Sequence, residues 1–246
     1  MIADGEKPVF SVKRKYIYNT VLVCLIGMVV VVSMNLLKEG LKTAAADAVY
    51  SDVTASVISQ DTHNVNFTAL TDSGCQSTSW IYVPGTKIDY PIVIGKDNIF
   101  YLDHDVYGNE SEAGAIFVNS ANSADMSDDK TIIFGHNMAD GSMFSNVHNY
   151  SDQKWGNEHR DLYIYLDNGT RLHYRLLCYL YTDPSYEPVY VTGENENVGA
   201  TAMRLLQDAQ VRYSEYNGGK LVCLSTCKYH EYRTVAVFEA VEDDTP

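Results

Sequence analysis

Three residues that together could carry out thiol-based acyl transfer lie beside apolar, strand-like runs of this chain. Cys227 follows the run 221–225, His136 follows the run 131–134, and Arg233 precedes the final apolar run. The thiolate is the reactive form of cysteine, and a histidine can exchange a proton with it near neutral pH. Arginine keeps its charge and offers five N–H donors, which suits a developing oxyanion. The three residues predict a nucleophile, a general acid/base and an oxyanion stabiliser.

Each of these residues has a simpler interpretation when it is taken alone. A cysteine after a strand is more often a buried, inert side chain, and a loop histidine or a strand-edge arginine is more often a surface residue. His230 lies three residues after Cys227 and competes with His136 for the role of the base. On residue types alone, a non-catalytic surface-binding module and a secreted thiol protease both remain open as functions.

The elements that must position these residues are short β-prone runs separated by turns, which begin at Trp80. Asp167-Asn168-Gly169-Thr170 joins two of them and predicts a hairpin. Helices are predicted at 43–58, 141–150 and 198–213. About eight strands with one or two helices favour a mainly β fold, a closed or nearly closed barrel. The strand-like runs are 80–83, 90–94, 115–118, 131–134, 162–166, 172–181, 220–225 and 234–240.

An uncharged segment near the N-terminus predicts a membrane-spanning helix. Residues 16–37 contain no charged side chain, and about 22 residues at ~1.5 Å each match the hydrocarbon thickness of a bilayer. Residues 13–15 are all basic, so the positive-inside rule predicts a cytoplasmic N-terminus. A cleaved signal peptide with a small-residue site near 44–48 is the rival interpretation, but its apolar core would span only ~7–15 residues. We expect a single-pass protein of the cell membrane with the remaining domain outside.

Length and charge restrict the organisation and the partners. The 246 residues suit one domain plus an anchor. We expect a cytoplasmic N-terminus at 1–15, the anchor at 16–37, a membrane-proximal helical stalk or cap at 38–77 and a catalytic barrel at 78–246. Beyond residue 37 there are 14 basic and 30 acidic side chains, a net charge of −16. This acidity argues against nucleic acid as a partner, because nucleic-acid binding needs clustered Lys and Arg.

The cysteines raise the question of a disulfide, and one polar loop raises the question of a metal site. Along a strand, Cys223 and Cys227 would lie roughly 13 Å apart at ~3.3 Å per residue, too far for a disulfide or a shared metal ion. A bridge between Cys75 and Cys178 stays open at this point. The polar loop 119–129 does not match the spacing of an EF-hand loop, so a plain solvated loop is the better interpretation.

The motifs that contain these residues resemble those of the sortases, the cysteine transpeptidases of Gram-positive surfaces, and most of all their class B. The resemblance covers roughly residues 78–242. Six motifs in the same order, behind an N-terminal anchor, make it specific. They are Tyr90-Pro91-Ile92-Val93, Asn98 with Tyr101-Leu102, Gly114-Ala115-Ile116-Phe117, Gly135-His136-Asn137-Met138, Asp140-Gly141-Ser142-Met143-Phe144, and Leu224-Ser225-Thr226-Cys227 with Arg233.

The resemblance implies an eight-stranded barrel and a role for each matched residue. Cys227 would be the nucleophile, His136 the general acid/base and Arg233 the stabiliser of the oxyanion and substrate. His159 also resembles a family position, for which a structural role is the better interpretation. The matched residues that would line the substrate groove are Asn98, Leu102, Phe134, Ser225 and Thr226.

The implied reaction is cleavage of a C-terminal sorting motif of a secreted protein through a thioacyl intermediate. An amine of a peptidoglycan precursor then resolves the intermediate, and no metal or organic cofactor is needed. A lysine side chain of a pilin subunit is the alternative acceptor. Two departures from the family pattern are Cys223, where threonine is usual, and the short interval from Cys227 to Arg233. The second puts the substrate preference in doubt, because that loop walls the groove in class B enzymes.

Overall fold

A computed structural model provides the structure of the protein and describes residues 9–59, 63–75, 77–193, 196–228 and 232–241. At residues 227 and 228 the description covers the backbone. His230, the predicted competitor of His136, lies outside the described residues.

The N-terminal part of the chain is a single long helix, α1, which runs over Val9–Val57. Its segment Tyr16–Lys38 is 23 residues long with a mean hydropathy of 2.5, enough by length and composition to cross a membrane. The sequence predicted a separate helix from residue 43, whereas α1 continues without interruption. No proline lies within it to break the hydrogen-bond ladder. The chain divides into two compact units, residues 1–45 and residues 46–246.

The second unit is built around a mixed eight-stranded β-barrel, as the sequence predicted. Its strands follow the order β11, β10, β6, β5, β4, β3, β7 and β8, and β8 closes the barrel by pairing with β11. The pairs β10–β6 and β4–β5 are parallel, and the other pairs of the barrel are antiparallel. The strands are β1 (Ile58–Ser59), β2 (Asn64–Val65), β3 (Ser79–Tyr82), β4 (Asp89–Ile94), β5 (Ile116–Val118), β6 (Lys130–Phe134), β7 (Asp161–Leu166), β8 (Arg171–Thr182), β9 (Val211–Arg212), β10 (Leu221–Lys228) and β11 (Tyr232–Ala240).

Short helices lie in the segments that connect the strands. The helix predicted over 141–150 is a 3₁₀ helix at Ser145–Ser151, and the helix predicted over 198–213 ends at Asp208. The chain after it forms the short strand β9, which pairs with β8. The remaining helices are α2 (Phe67–Asp72), a 3₁₀ helix at Phe100–Leu102, α3 (Gln153–Glu158), α4 (Glu187–Tyr190) and α5 (Val198–Asp208).

Strand β10 separates two apolar cores, because successive side chains of a strand point to opposite faces. Val222 and Leu224 belong to the barrel core, which includes Trp80 and Phe238. Leu221 and Cys223 belong to an outer core, beneath α4 and α5, which includes Val189, Leu205 and Leu206. The outer core therefore fixes α4 and α5 against the strand that carries Cys227.

Among the side chains that the structure describes, four cysteines are free thiols: Cys24, Cys75, Cys178 and Cys223. The question of a Cys75–Cys178 bridge is thereby answered, because both thiols are unpaired. Burial raises the pKa of Cys75 to about 11 and that of Cys223 to about 12. These buried thiols are therefore poor nucleophiles at neutral pH.

Candidate active site

Three adjacent strands bring the predicted catalytic residues to one end of the sheet. Ser225 of β10 pairs with Phe134 of β6 on one side and with Val235 of β11 on the other. Cys227 lies two residues beyond Ser225 on β10, and its backbone pairs with Arg233 of β11. His136 lies two residues beyond Phe134, in the loop that follows β6. The three positions therefore lie at the same end of the neighbouring strands β6, β10 and β11, with His136 just beyond its strand, and we call them the row.

Strand β10 continues further than the sequence suggested. The predicted run ended at Ser225, but the ladder with β11 extends through Cys227 to Lys228, which pairs with Tyr232. Residue 227 therefore sits within a hydrogen-bonded strand rather than in the turn that follows. A strand holds a backbone position more rigidly than a loop, so the backbone of Cys227 is held by a rigid element.

Gly135 allows the chain to turn from β6 into the loop that carries His136. Its N–H donates to the Ser225 carbonyl at 3.3 Å, which continues the contact with β10 by one residue. A Cβ at this position would meet the Phe144 ring at 2.8 Å and would also contact Ile116. Only glycine fits this close packing without displacing its neighbours.

The imidazole of His136 is oriented by a backbone carbonyl. Its Nε2 lies 2.6 Å from the carbonyl oxygen of Leu102. Because a carbonyl oxygen only accepts, Nε2 carries a proton in this geometry. Nδ1 is then the nitrogen that can gain or lose a proton during a reaction. The backbone carbonyl of His136 also accepts from the Phe144 N–H at 2.8 Å, so both ends of the residue are held.

Arg233 is half-buried and lies at the start of β11, between β10 and β8. Within the described part of the chain its hydrogen bond goes to the Tyr232 carbonyl at 3.3 Å. The Ser185 hydroxyl and amide hold the pKa of the Asp183 carboxyl below its usual range, and the charge of Arg233 acts in the same direction. The guanidinium thus lies near a carboxylate at the end of β8.

The predicted groove residues Ser225 and Thr226 lie on opposite faces of β10. The Ser225 hydroxyl is 2.9 Å from the hydroxyl of Tyr190, on the side of the outer core. Thr226 pairs with Thr234 on the side of the barrel core. The Thr226 hydroxyl is buried, and it makes no hydrogen bond within the described residues. Period-two alternation means that these two neighbours contribute to different sides of the sheet.

Phe134 and Tyr190 form the apolar floor beside the row. Their rings are stacked with centroids 6.5 Å apart and planes at 6°, and Phe134 also tilts against Phe117 at 5.3 Å. Tyr190 is a residue that the sequence analysis missed. It lies 35 positions before Ser225, and no local pattern marks it.

Asn98 and Leu102 lie in the segment between β4 and β5, which contacts His136 through the Leu102 carbonyl. The Asn98 amide donates to Asn119 Oδ1 at 3.0 Å and accepts from the Ser120 N–H at 2.8 Å, so it joins two loops. The Leu102 side chain is 42% exposed, although its carbonyl is engaged by His136. Exposed Ile99 and Phe100 continue this apolar surface. The Leu102 side chain is thus open to solvent next to His136.

The polar loop 119–129 is held by its own side chains. The Asp128 carboxylate accepts from the Ser123 N–H and from the Asn122 amide at 3.0 Å. Among the described residues, no group of three or more His, Cys, Asp or Glu side chains is placed to hold a metal ion. The Asn122 amide also donates to the Lys130 carbonyl at 2.8 Å and accepts from the Ile132 N–H at 3.0 Å, so the loop is tied to β6 as well.

His159 has the structural surroundings that the sequence analysis expected. Its Nδ1 is 2.8 Å from the Trp155 carbonyl, and its ring stacks on the Trp155 ring at 4.1 Å. The Tyr150 hydroxyl donates to the His159 carbonyl at 3.0 Å. These contacts fix α3 to the preceding 3₁₀ helix.

Comparison with known proteins places this geometry in a family. The model of the sortase domain matches residues 81–241. A sortase B of Listeria monocytogenes is 45% identical over 74 residues, which is 30% of each chain. A sortase B of Staphylococcus aureus is 32% identical over 81 residues, which is 33% of each chain. The aligned parts thus span about a third of these relatives.

Solved structures share the fold over a larger part of the chain. The sortase B of Bacillus anthracis, crystallised in complex with AAEK1, superposes with a TM-score of 0.71 and 24% identity. The match covers 82% of this chain and 98% of that one. The family match spans the barrel from β3 to the end of β11, and the residue row described above lies within it. The chain therefore belongs to the sortase family, whose members are cysteine transpeptidases, and it is most like class B.

Proposed function

We propose that this protein is a membrane-anchored cysteine transpeptidase that joins secreted proteins to an amine of a peptidoglycan precursor. The observation that carries the proposal is the row, in which Cys227 of β10 pairs with Arg233 of β11 and His136 lies in the loop after the adjacent strand β6. Acyl transfer needs a nucleophile, a proton carrier and an oxyanion donor within reach of one carbonyl. The row supplies the three residue types at the same end of three adjacent strands.

In the proposed first step, the Cys227 thiolate attacks a backbone carbonyl of the sorting motif. The carbonyl oxygen gains the negative charge, which Arg233 stabilises. The C–N bond breaks, and His136 gives its Nδ1 proton to the departing amine. The product of this step is a thioacyl enzyme and a free peptide amine.

In the second step, the acceptor amine attacks the thioester carbonyl. Neutral His136 removes a proton from the attacking nitrogen at Nδ1, while Nε2–H remains bonded to the Leu102 carbonyl. The C–S bond breaks and the Cys227 thiolate is regenerated. The acceptor is thereby joined to the secreted protein by a new amide bond.

The proposed location is the outer face of the cell membrane, with residues 16–37 as the anchor and the N-terminus in the cytoplasm. The apolar segment Tyr16–Lys38 and the basic residues before it support this topology. We assign 38–77 to a membrane-proximal region and 78–246 to the catalytic domain. The proposed groove comprises Asn98, Leu102, Phe134, Ser225 and Thr226.

Mass spectrometry of the full chain in detergent tests the proposal. The protein is incubated with a library of short peptides that carry candidate sorting motifs, with and without triglycine as the amine. We expect a thioacyl adduct on Cys227 that triglycine converts to an amide product. Cys223→Ala is the matched control, because it removes a cysteine of the same strand and should leave the adduct intact.

The outcomes separate the alternatives. An adduct lost in Cys227→Ala but kept in Cys223→Ala identifies the nucleophile. Hydrolysis whose products do not change with triglycine would instead identify a thiol protease. Peptide binding without an adduct by the folded protein would identify a binding module and would overturn the proposal.

A further inference from the structure

The end of α1 contacts the barrel at the segment that orients His136. Tyr50 is 6% exposed, and its hydroxyl donates to the Gly114 carbonyl at 2.6 Å. Val53 and Val57 of the same helix are buried in the barrel core. Since these residues belong to the same compact unit as the barrel, this part of α1 is an integral wall of the domain.

Gly114 packs directly against the Leu102 carbonyl, which binds His136. Its φ is +57°, and a Cβ there would lie 2.5 Å from the Tyr101 carbonyl oxygen and 2.9 Å from that of Leu102. The next residue, Ala115, donates its N–H to the Tyr101 carbonyl at 3.0 Å. The place of the Leu102 carbonyl is therefore set by the backbone around Gly114. The exposed Leu102 side chain contributes little to it.

A second route from Tyr50 reaches the backbone of His136. The Tyr50 ring packs edge-on against the Tyr90 ring at 5.5 Å. The Tyr90 hydroxyl accepts from the Met143 N–H at 2.9 Å, in a buried bond. Met143 forms a bridge with Asn137, directly after His136. Met143 itself has a φ of +54°, a conformation that a non-glycine residue keeps only when its surroundings enforce it.

We propose that Tyr50 is a positioning residue, through which the end of α1 holds the imidazole of His136 in its reactive orientation. One route runs through the Gly114 backbone to the Leu102 carbonyl, and the other runs through Tyr90 to the His136 loop. The Leu102 carbonyl keeps the proton on Nε2 and leaves Nδ1 for the reaction. This inference rests on the proposed role of His136 and adds a residue that never touches the substrate.

The test replaces Tyr50 by phenylalanine in the full chain in detergent micelles. This change removes one hydroxyl and keeps the ring. Tyr213→Phe is the matched control, because the Tyr213 hydroxyl also donates to a carbonyl, that of Tyr150, at 2.6 Å. Both variants lose a bond of the same kind, so a general loss of stability would affect them equally. Thermal unfolding of both proteins checks that equality.

The readouts are the pH profile of Cys227 alkylation by iodoacetamide and the tautomer of His136 from ¹⁵N NMR. We expect Tyr50→Phe to shift the alkylation profile towards that of His136→Ala and to lower the Nε2–H population. Alkylation at pH 7 should change several-fold, while Tyr213→Phe should match the wild type. Equal profiles for Tyr50→Phe and the wild type would overturn the inference.

The reference variant keeps the two proposals separate. If His136→Ala leaves the alkylation profile unchanged, the pairing of His136 with Cys227 is wrong and the proposed mechanism fails. If His136→Ala shifts the profile and Tyr50→Phe does not, the mechanism stands and only the role of Tyr50 fails.

Discussion

Lys130 opens β6 and buries its ammonium beneath the segment that carries Tyr190. Its Nζ donates to the Pro188 carbonyl at 2.9 Å, to the Val191 carbonyl at 2.7 Å and to the Glu196 carboxylate at 2.5 Å. Three bonds use all three N–H donors of the ammonium. The lysine therefore fastens both ends of α4 to the start of the strand that leads to the active site.

Replacing Lys130 by methionine removes the charge and keeps an apolar side chain of similar length. Two carbonyls and the Glu196 carboxylate then lose their donor. Breaking one side of a buried ion pair costs about 3–5 kcal/mol. The Lys130 side chain is 1% exposed but that of Glu196 is 19% exposed, so water relieves part of the penalty. We expect a loss of about 3 kcal/mol in the free energy of unfolding, or ~1 M in the urea midpoint for a domain of this size.

Urea unfolding measures the loss, and hydrogen exchange shows where it acts. The Val189 and Tyr190 amides should exchange faster in Lys130→Met than in the wild type, because α4 is released. Lys220→Met is the matched control, since Lys220 contacts the Ser127 carbonyl from an exposed position at the start of β10. It should change the stability by less than about 0.5 kcal/mol.

The double variant Lys130→Met/Glu196→Gln separates charge from packing. Removing the orphaned carboxylate should recover about 1–2 kcal/mol, because a neutral amide is cheaper to bury than an unpaired charge. A single variant as stable as Lys220→Met would refute this account of the ion pair. Unchanged hydrogen exchange at the Tyr190 amide of Lys130→Met would also refute it.

Two further predictions concern Gly135 and His63. Gly135→Ala should destabilise the fold by about 1–3 kcal/mol and displace the His136 loop, which urea unfolding and the transpeptidation assay would detect; a stable, fully active variant would contradict the packing argument. Burial lowers the pKa of His63 below 6.5, and Asp89 at 3.3 Å offsets part of this effect. Because the unfolded state then binds the proton first, the free energy of unfolding should fall as the pH drops below 6.5. His63→Asn, which suits the φ of +47°, should flatten this dependence in pH-resolved unfolding; an unchanged slope would assign it to another group.

Short sequence patterns predicted two local features of the fold correctly. The turn Asp167–Thr170 joins β7 to β8, and His136 follows β6 as expected. These features depend on short stretches of sequence, where periodicity and turn residues act directly. The period of two along a strand also predicts that Ser225 and Thr226 point to opposite faces of β10. The family resemblance, by contrast, placed both residues in the groove.

Contacts between distant segments were beyond the sequence. Lys130 and Glu196 are separated by 66 positions, and Tyr50 and Gly114 by 64. A lysine at the start of a strand is ordinarily a surface residue. The sequence around Lys130 therefore gave no sign that its side chain is buried. The parallel pairing of β6 with β10 is likewise nonlocal, and it is this pairing that brings the end of β6, where the His136 loop begins, beside β10.

The parallel pairing also explains why the site tolerates its long sequence separations. Two parallel strands end at the same edge of a sheet, whatever length of chain connects them. The pair Phe134–Ser225 therefore brings the start of the His136 loop to the edge at which β10 carries Cys227, and β11 adds Arg233 by an antiparallel pair. The part of the connecting chain that follows β8, residues 183–220, can therefore have other structural roles. In this chain it supplies α4, whose Tyr190 lies over Phe134 and Ser225, and the partners that bury Lys130.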